Sequence, residues 1–218
     1  MTRDGQPVFG INTKKGLSDE EAMRKFQKGD DGSFDLLLGR HGPGVLRFII
    51  RMTGVERSQA EDLLQEIFMK VIERRKRYDP EQKFSTWLYS IARNHCIDFL
   101  RTESYRRHSS LDAPVSMEEE GGAVVIDFVR SEEKDQEERA FDLEVKELVN
   151  IGVGGLKEEF REVFLLREVE GLSLEEIAEV TESPLGTVKS RLRYAYKGLR
   201  KVFMETGYFE ERQKAKGV

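Results

Sequence analysis

Apolar residues recur along most of this chain at steps of three and four, the period that lays one stripe along a helix facing a core. Phe34, Leu37 and Leu38 form one such group, and Val45, Leu46, Ile49 and Ile50 the next. Ser18 precedes Glu21 by three residues, the spacing of a capping box that opens a helix. "GDDGS" (29–33) ends that helix, and "HGPG" (41–44) is expected to break the following one. Ser58 and Glu61 repeat the capping-box spacing ahead of a clean stripe of Ala60, Leu63, Leu64, Ile67, Phe68, Val71 and Ile72. The opposite face of that helix shows Asp62, Gln65, Glu66 and Lys70. "RRKRYDPEQKFS" reads as a basic loop with a proline turn. Ser85 or Thr86 then caps a helix striped by Leu88, Ile91, Ala92, His95 and Phe99.

The pattern stops over residues 109–138, an acidic stretch with a Gly pair and no sustained period, which reads as a linker. It resumes near Arg139, pauses at "GVGG" (152–155) and runs to about Glu205. The expected fold is all-α, with two small helical domains at 17–108 and 139–205 joined by the acidic linker. Residues 1–16 form a lead and 206–218 a tail.

Composition narrows the function classes. The chain has 218 residues, 38% of them hydrophobic and 35% charged, which leaves room for modest cores. A net charge of -5 argues against wholesale coating of nucleic acid, so any DNA contact must come from local patches. The one cysteine, Cys96, excludes an internal disulfide and fits a reducing, cytoplasmic setting. No apolar run approaches a membrane span, and the first residues lack the apolar core of a signal peptide. Catalytic chemistry finds no foothold. "GVGG" lacks the spacing of a phosphate cradle, and His95 and Cys96 point about 100° apart on a helix. With His41 and His108 the only other histidines, a zinc site is not expected, nor any cofactor.

Two local patches do stand out. Residues 183–201 carry six cations and no carboxylate. Ser173 and Glu176 cap a short helix with Leu174, Ile177 and Ala178, Thr181 and Glu182 make a turn, and Ser183 with Pro184 opens a longer helix. That second helix buries Val188, Leu192, Ala195 and Leu199 and leaves Thr187, Lys189, Ser190, Arg191, Arg193, Tyr194 and Lys197 outside. A short helix, a tight turn and a longer basic helix make a helix-turn-helix, whose second member enters the major groove. Charge runs are usually plain solvated surface. Here the cap, the proline, the small Ala178 at the crossing and the acid-free face favour DNA. The preceding flank, 157–182, holds nine acids against three bases, would repel phosphate and is expected to face away from DNA.

The second patch lies at 70–107, with ten bases against five acids and Tyr78, Phe84, Trp87 and Tyr89 among them. Cations beside aromatic faces suit single-stranded DNA, whose bases stack. Phe84 or Trp87 taken alone reads more readily as a core plug, and Tyr89 as ordinary surface. Arg93 and Asn94 sit a turn ahead of Asp98 and Arg101, which makes a polar strip.

"AEDLLQEIFMKV", "FSTWLYSIARN" and "DFLR" resemble region 2 of bacterial sigma-70-family factors, and residues 156–200 resemble their region 4. With only those two regions and a short tether, the chain is similar to the extracytoplasmic-function (ECF), sigma-E-like group over roughly residues 17–203. The resemblance implies a subunit that brings core RNA polymerase to promoters and opens them, with no enzyme activity of its own. It implies that Asp62, Leu63, Gln65 and Glu66 bind the polymerase β′ clamp helices. It further implies that Lys83, Phe84, Ser85, Thr86, Trp87, Arg93, Asn94, Asp98 and Arg101 hold the −10 element. Pro184, Gly186, Thr187, Lys189, Ser190, Arg191, Arg193, Tyr194 and Lys197 would read the −35 element. The implied partners are core polymerase, also through its β flap, promoter DNA and an anti-sigma factor, with the chain a monomer outside the holoenzyme. Acids such as Glu118 and Glu120 in the tether would occupy a channel built for RNA. Related factors commonly carry Gly where this chain has Glu182, which would strain a left-handed turn there by about 1 kcal/mol. The alternatives are a helix-turn-helix regulator that does not replace the sigma subunit and a helical protein-binding adaptor.

Overall fold

The computed structural model describes residues 16–109 and 136–206, and every regular element among them is helical. The lead at 1–15, most of the linker (110–135) and the tail at 207–218 lie outside the described residues. The N-terminal unit comprises α1 (Asp19–Gln27), α2 (Asp31–Thr53), α3 (Arg57–Arg74) and α4 (Phe84–Ser109). The C-terminal unit comprises α5 (Gln136–Gly154), α6 (Glu158–Phe164), α7 (Leu174–Val180) and α8 (Leu185–Glu205).

The capping box at Ser18 forms as spaced, with the Ser18 hydroxyl accepting from the Glu21 amide and Glu21 accepting from the Ser18 amide. α1 then buries Ala22, Met23 and Phe26. The expected break at "HGPG" does not occur, because α2 runs straight through it with Pro43 inside. An interior proline costs about 3 kcal/mol in lost hydrogen bond and ring clash. Here the ring points to solvent, while Leu37, Val45, Phe48, Ile49 and Met52 bury a stripe on both sides of it. Burial of that stripe outweighs the local defect. α2 stops at Gly54, in the left-handed conformation at φ 73°.

Two further expectations about caps are corrected. α3 starts at Arg57 with Glu56 at its N-cap, and Glu61 bonds the Arg57 guanidinium at 2.9 Å instead of closing a box with Ser58. α4 starts at Phe84, so neither Ser85 nor Thr86 caps it. The Phe84 amide donates instead to Glu20 of α1 at 3.1 Å. Packing Phe84 into the core draws the helix start back past the hydroxyls, and a carboxylate from a neighbouring helix supplies the acceptor.

In the C-terminal unit "GVGG" does not interrupt α5 before Gly154. Gly152 lies against α8 so closely that a Cβ there would sit 2.6 Å from a Leu199 methyl. The α5 terminus is closed by Arg161, whose guanidinium donates to the carbonyls of Val153, Gly154 and Leu156. α6 continues into a five-residue π-helical turn, Leu165–Val169. The Ser173 capping box opens α7 as expected. α7 ends in a Schellman motif, with the Ser183 amide bonded to Ala178 O and the Glu182 amide to Glu179 O. Glu182 holds the left-handed position at φ 49°, the one non-glycine among the described residues with positive φ. Pro184, not Ser183, is the N-cap of α8. Ser183 turns its hydroxyl back to Thr181 O at 3.1 Å.

α2 packs on α1, α3 and α4, and α8 packs on α5, α6 and α7. The two units also meet. α7 lies on α4, and α2 touches α6 and the π-helical turn, so the buried residues of both form one continuous cluster.

Candidate nucleic-acid and polymerase interface

Three polar strips sit on this scaffold. On α3, the stripe of Ala60, Leu63, Ile67, Phe68 and Val71 is buried, which turns Asp62, Gln65 and Glu66 outward. They line a groove of about 560 Å3 with Met69, Lys70 and Glu73, and Met69 is 55% exposed. Leu63 is buried beneath and holds the strip in place.

On α4, Arg93, Asn94, Asp98 and Arg101 come together as their spacing predicts. With Lys70, Arg74 and His95 they line a cleft of about 370 Å3. The sequence puts Lys70 on the polar face of α3 and His95 on the stripe of α4, but does not bring them together in this cleft. The Lys70 ammonium donates to His95 Nδ1 at 2.6 Å, and His95 Nε2 lies 2.9 Å from Glu66. Burial, with the Lys70 charge beside it, holds the imidazole below its ordinary pKa against the opposing pull of Glu66. The aromatic group at the start of α4 is mostly buried. Tyr78, Phe84 and Tyr89 are all buried, with Tyr78 and Phe84 ring to ring at 6.0 Å. Thr86 is buried too, while Lys83 is exposed and Ser85 and Trp87 are half-buried. Trp87 packs on Tyr78 at 5.1 Å, so its free edge is the aromatic surface this segment offers.

On α8, Val188, Ala195 and Leu199 are buried as spaced, and Leu192 is half-buried. Pro184, Gly186, Lys189, Arg193, Tyr194 and Lys197 are exposed, and Thr187, Ser190 and Arg191 are half-buried. Arg193 lies over the Tyr194 ring at 5.5 Å, and Tyr194 stacks on Phe160 at 5.5 Å, which fixes this end of the strip.

Comparison with known proteins matches this layout. The family model "Sigma-70 region 2" matches residues 37–106, and "Sigma-70, region 4" matches residues 153–199. The ECF RNA polymerase sigma-E factor of Escherichia coli K12 is 33% identical over 178 residues, 81% of this chain and 89% of that protein. The Haemophilus influenzae sigma-E factor is 32% identical over 176 residues, 81% of this chain and 90% of that protein. The chain belongs to the ECF group of the sigma-70 family.

It is thus a transcription-initiation factor that directs RNA polymerase to promoters. Two solved structures share the fold of this sigma factor. CnrH in complex with the cytosolic domain of CnrY has a TM-score of 0.61 at 21% identity, over 86% of this chain and 97% of that one. The sigma factor RpoE with the anti-sigma factor NepR from Bartonella quintana has 0.60 at 22%, over 77% and 94%. Among the described residues no group of His, Cys, Asp and Glu could hold a metal ion, and no helix is long and apolar enough to cross a membrane.

One set of contacts in this sigma factor lies between the two regions. Arg93 Nε donates to Glu162 Oε2 at 2.8 Å, and Arg191 approaches the other oxygen of the same carboxylate at 3.5 Å. Tyr89 donates to Glu170, and Lys83 pairs with Glu176 at 2.7 Å. Burial pushes Glu162 above the ordinary carboxylate pKa, and Arg93 and Arg191 pull it back. Burial pushes Glu170 up in the same way and the Tyr89 phenol up with it. These acids belong to the flank expected to face away from DNA, and here they face α4. Glu162 carried one signal in the sequence: it stands against the apolar run Val163, Phe164, Leu165, Leu166.

Proposed function

We propose that this sigma factor docks on core polymerase through α3, reads the −35 element through α8 and captures bases of the −10 element along α4. The supporting observation is that one chain presents an exposed carboxylate-and-amide strip and, on a separate helix, an exposed cationic run over 185–201 with no carboxylate of its own. Asp62, Gln65, Glu66 and Met69 would meet the β′ clamp helices. Lys189, Arg193, Tyr194 and Lys197, with Thr187 and Ser190, would meet the edges and phosphates of the −35 duplex, Pro184 and Gly186 allowing close approach. Lys83, Ser85, Trp87, Arg93, Asn94, Asp98 and Arg101 would line the path of the opened strand, with Phe84 and Thr86 supporting it from beneath. The factor would work in the cytoplasm, as a monomer until it joins the polymerase, and under an anti-sigma factor of the kind its structural neighbours are seen with. The β flap would receive the C-terminal unit.

The test is run-off transcription with purified core polymerase on a promoter library. The factor should confer defined start sites. Asp62→Ala with Glu66→Ala should weaken core binding by about tenfold or more, about 1.4 kcal/mol, and Arg193→Ala should lower −35-dependent initiation with core binding intact. Loss of core binding in Arg193→Ala, or normal core affinity in the α3 double variant, would overturn the assignment.

A further inference from the structure

The cations of α8 do not all face the same way. Lys189, Arg193 and Lys197 follow one another at intervals of four residues and are exposed. Arg191 lies about 200° around the helix from both Lys189 and Arg193, at about 100° per residue. That places it on the side of the buried Val188 and Ala195. Its guanidinium turns into the C-terminal unit. One nitrogen donates to the Ser183 hydroxyl at 3.2 Å and approaches Glu162 of α6 at 3.5 Å, and the other lies 3.6 Å from Glu159. The Arg191 side chain is 22% exposed and that of Glu162 2%, which leaves this guanidinium little surface to offer a phosphate or a base. Among the described residues it is the one cation of α8 paired with a carboxylate of another helix.

This tie fastens the least secured part of the helix-turn-helix. Ser183 passes the bond on, its hydroxyl donating to Thr181 O at 3.1 Å where α7 ends. Between these two residues Glu182 holds its left-handed φ of 49°. α8 opens at Pro184 with no side-chain cap, and Gly186, a poor helix former, stands in its first turn. Local sequence therefore fixes the start of α8 loosely, and the link from α6 through Arg191 to Ser183 spans its first two turns. Its members all belong to the C-terminal unit. The planar fork of an arginine suits the task, because its five donors can meet several fixed oxygens at once.

We propose that Arg191 is a positioning residue for −35 recognition and not one of the side chains that touch DNA. Through Ser183, Glu162 and Glu159 it sets the angle of the first turns of α8, and with it the placement of Lys189, Ser190 and Arg193 against the duplex. A recognition side chain works only when held within about 0.5 Å of its productive place, so a small tilt weakens every contact together. The proposal rests on the reading of α8 as the −35 helix.

The three roles open to an arginine on this helix leave different marks. Losing a base contact relaxes choice at one base pair, and losing a phosphate contact weakens all sequences and lowers the salt slope by about one. Losing a positioning tie weakens all sequences with the slope unchanged. Holoenzyme assembled with purified core polymerase is bound to promoters recovered by run-off transcription, each carrying one base-pair change in the −35 element, over a series of salt concentrations. Arg191→Ala should weaken binding about tenfold on every member, keeping the rank order of sequences and the salt slope. Arg191→Lys retains the charge without the fork and should recover part of the loss. Ser183→Ala should show a smaller loss of the same pattern, and the double variant should lose no more than Arg191→Ala alone, since both break one tie. Ser183→Ala carries the test if Arg191→Ala does not fold. Relaxed choice at one base pair or a slope lower by about one in Arg191→Ala would make Arg191 a DNA contact and overturn the proposal. Full promoter binding by either folded variant, or additive losses in the double variant, would overturn it as well. Lys189→Ala and Arg193→Ala in the same assay separate the two readings. If neither changes −35 binding, the assignment of α8 falls, whereas if they do and Arg191→Ala behaves as they do, only the positioning role falls.

Discussion

Glu182 shows what one residue can cost and why it is kept in place. It occupies the left-handed position of a Schellman motif that most sequences give to glycine. The turn is held because Thr181 is buried and bonds back to Ile177 O, while Ser183 closes the motif behind it. Glu182→Gly should therefore raise stability by about 1 kcal/mol, or about 2–4 °C in Tm. A fall in Tm would mean the side chain makes a compensating contact. Cys96 makes a second residue-level case. It is fully buried, and burial pushes its thiol up to about 12. Thiol reagents should modify it no faster than the chain unfolds, and rapid labelling of the native protein, read by mass spectrometry, would contradict its place in the core.

Between elements, the tie that aligns α1 with α2 is a small electrostatic clasp. Arg40 donates to Asp19 at 2.6 Å and to Leu17 O at 2.8 Å, and His41 meets the other Asp19 oxygen at 2.6 Å. The His41 bond, against the opposing effect of burial and with help from Arg40, holds the Asp19 carboxyl below its ordinary 3.8. A carboxylate whose pKa is lower when folded stabilises fully above 3.8 and loses that contribution as pH falls through the folded value. Asp19→Asn should lower the urea midpoint at neutral pH and flatten its loss below about pH 3.8. Equal acid sensitivity in the parent and the variant would show the clasp to be energetically silent. The neighbouring glycines and Pro43 read as a break in the sequence, yet the α2 stripe spans them, because burial on both sides exceeds what the missing backbone bond costs.

Over the whole molecule, the two units share a broad packed face, and one close approach within it is exacting. A Cβ on Gly44 would lie 2.9 Å from the Tyr89 hydroxyl and 3.0 Å from a Glu170 oxygen, in a place where neither group can retreat without giving up its partner. Gly44→Ala should cost about 1–3 kcal/mol of inter-unit association. Small-angle scattering should then report a larger radius of gyration while far-UV circular dichroism stays unchanged. A variant as compact as the parent would show that the packing of α7 on α4 and of α2 on α6 holds the units together without this contact.

The amphipathic periods, the boxes at Ser18 and Ser173 and the acid-free run of α8 are local properties, fixed by which neighbours sit three and four residues away. For that reason the all-helical class, the helix-turn-helix and the α3 and α4 strips were legible from the chain alone. The start of α4 was not, since its cap comes from Glu20, and neither was the burial of Tyr78 and Tyr89, since an aromatic stripe looks the same whether another helix covers it or not; for Phe84 the core reading, the readier one from the sequence, holds. The pairing of Glu162 with Arg93 and Arg191 joins residues far apart in sequence, and no period or spacing encodes it. Only the packing of α6 and α7 onto α2 and α4 brings those charges within reach, because ion pairs follow distance in space while the sequence records distance along the chain.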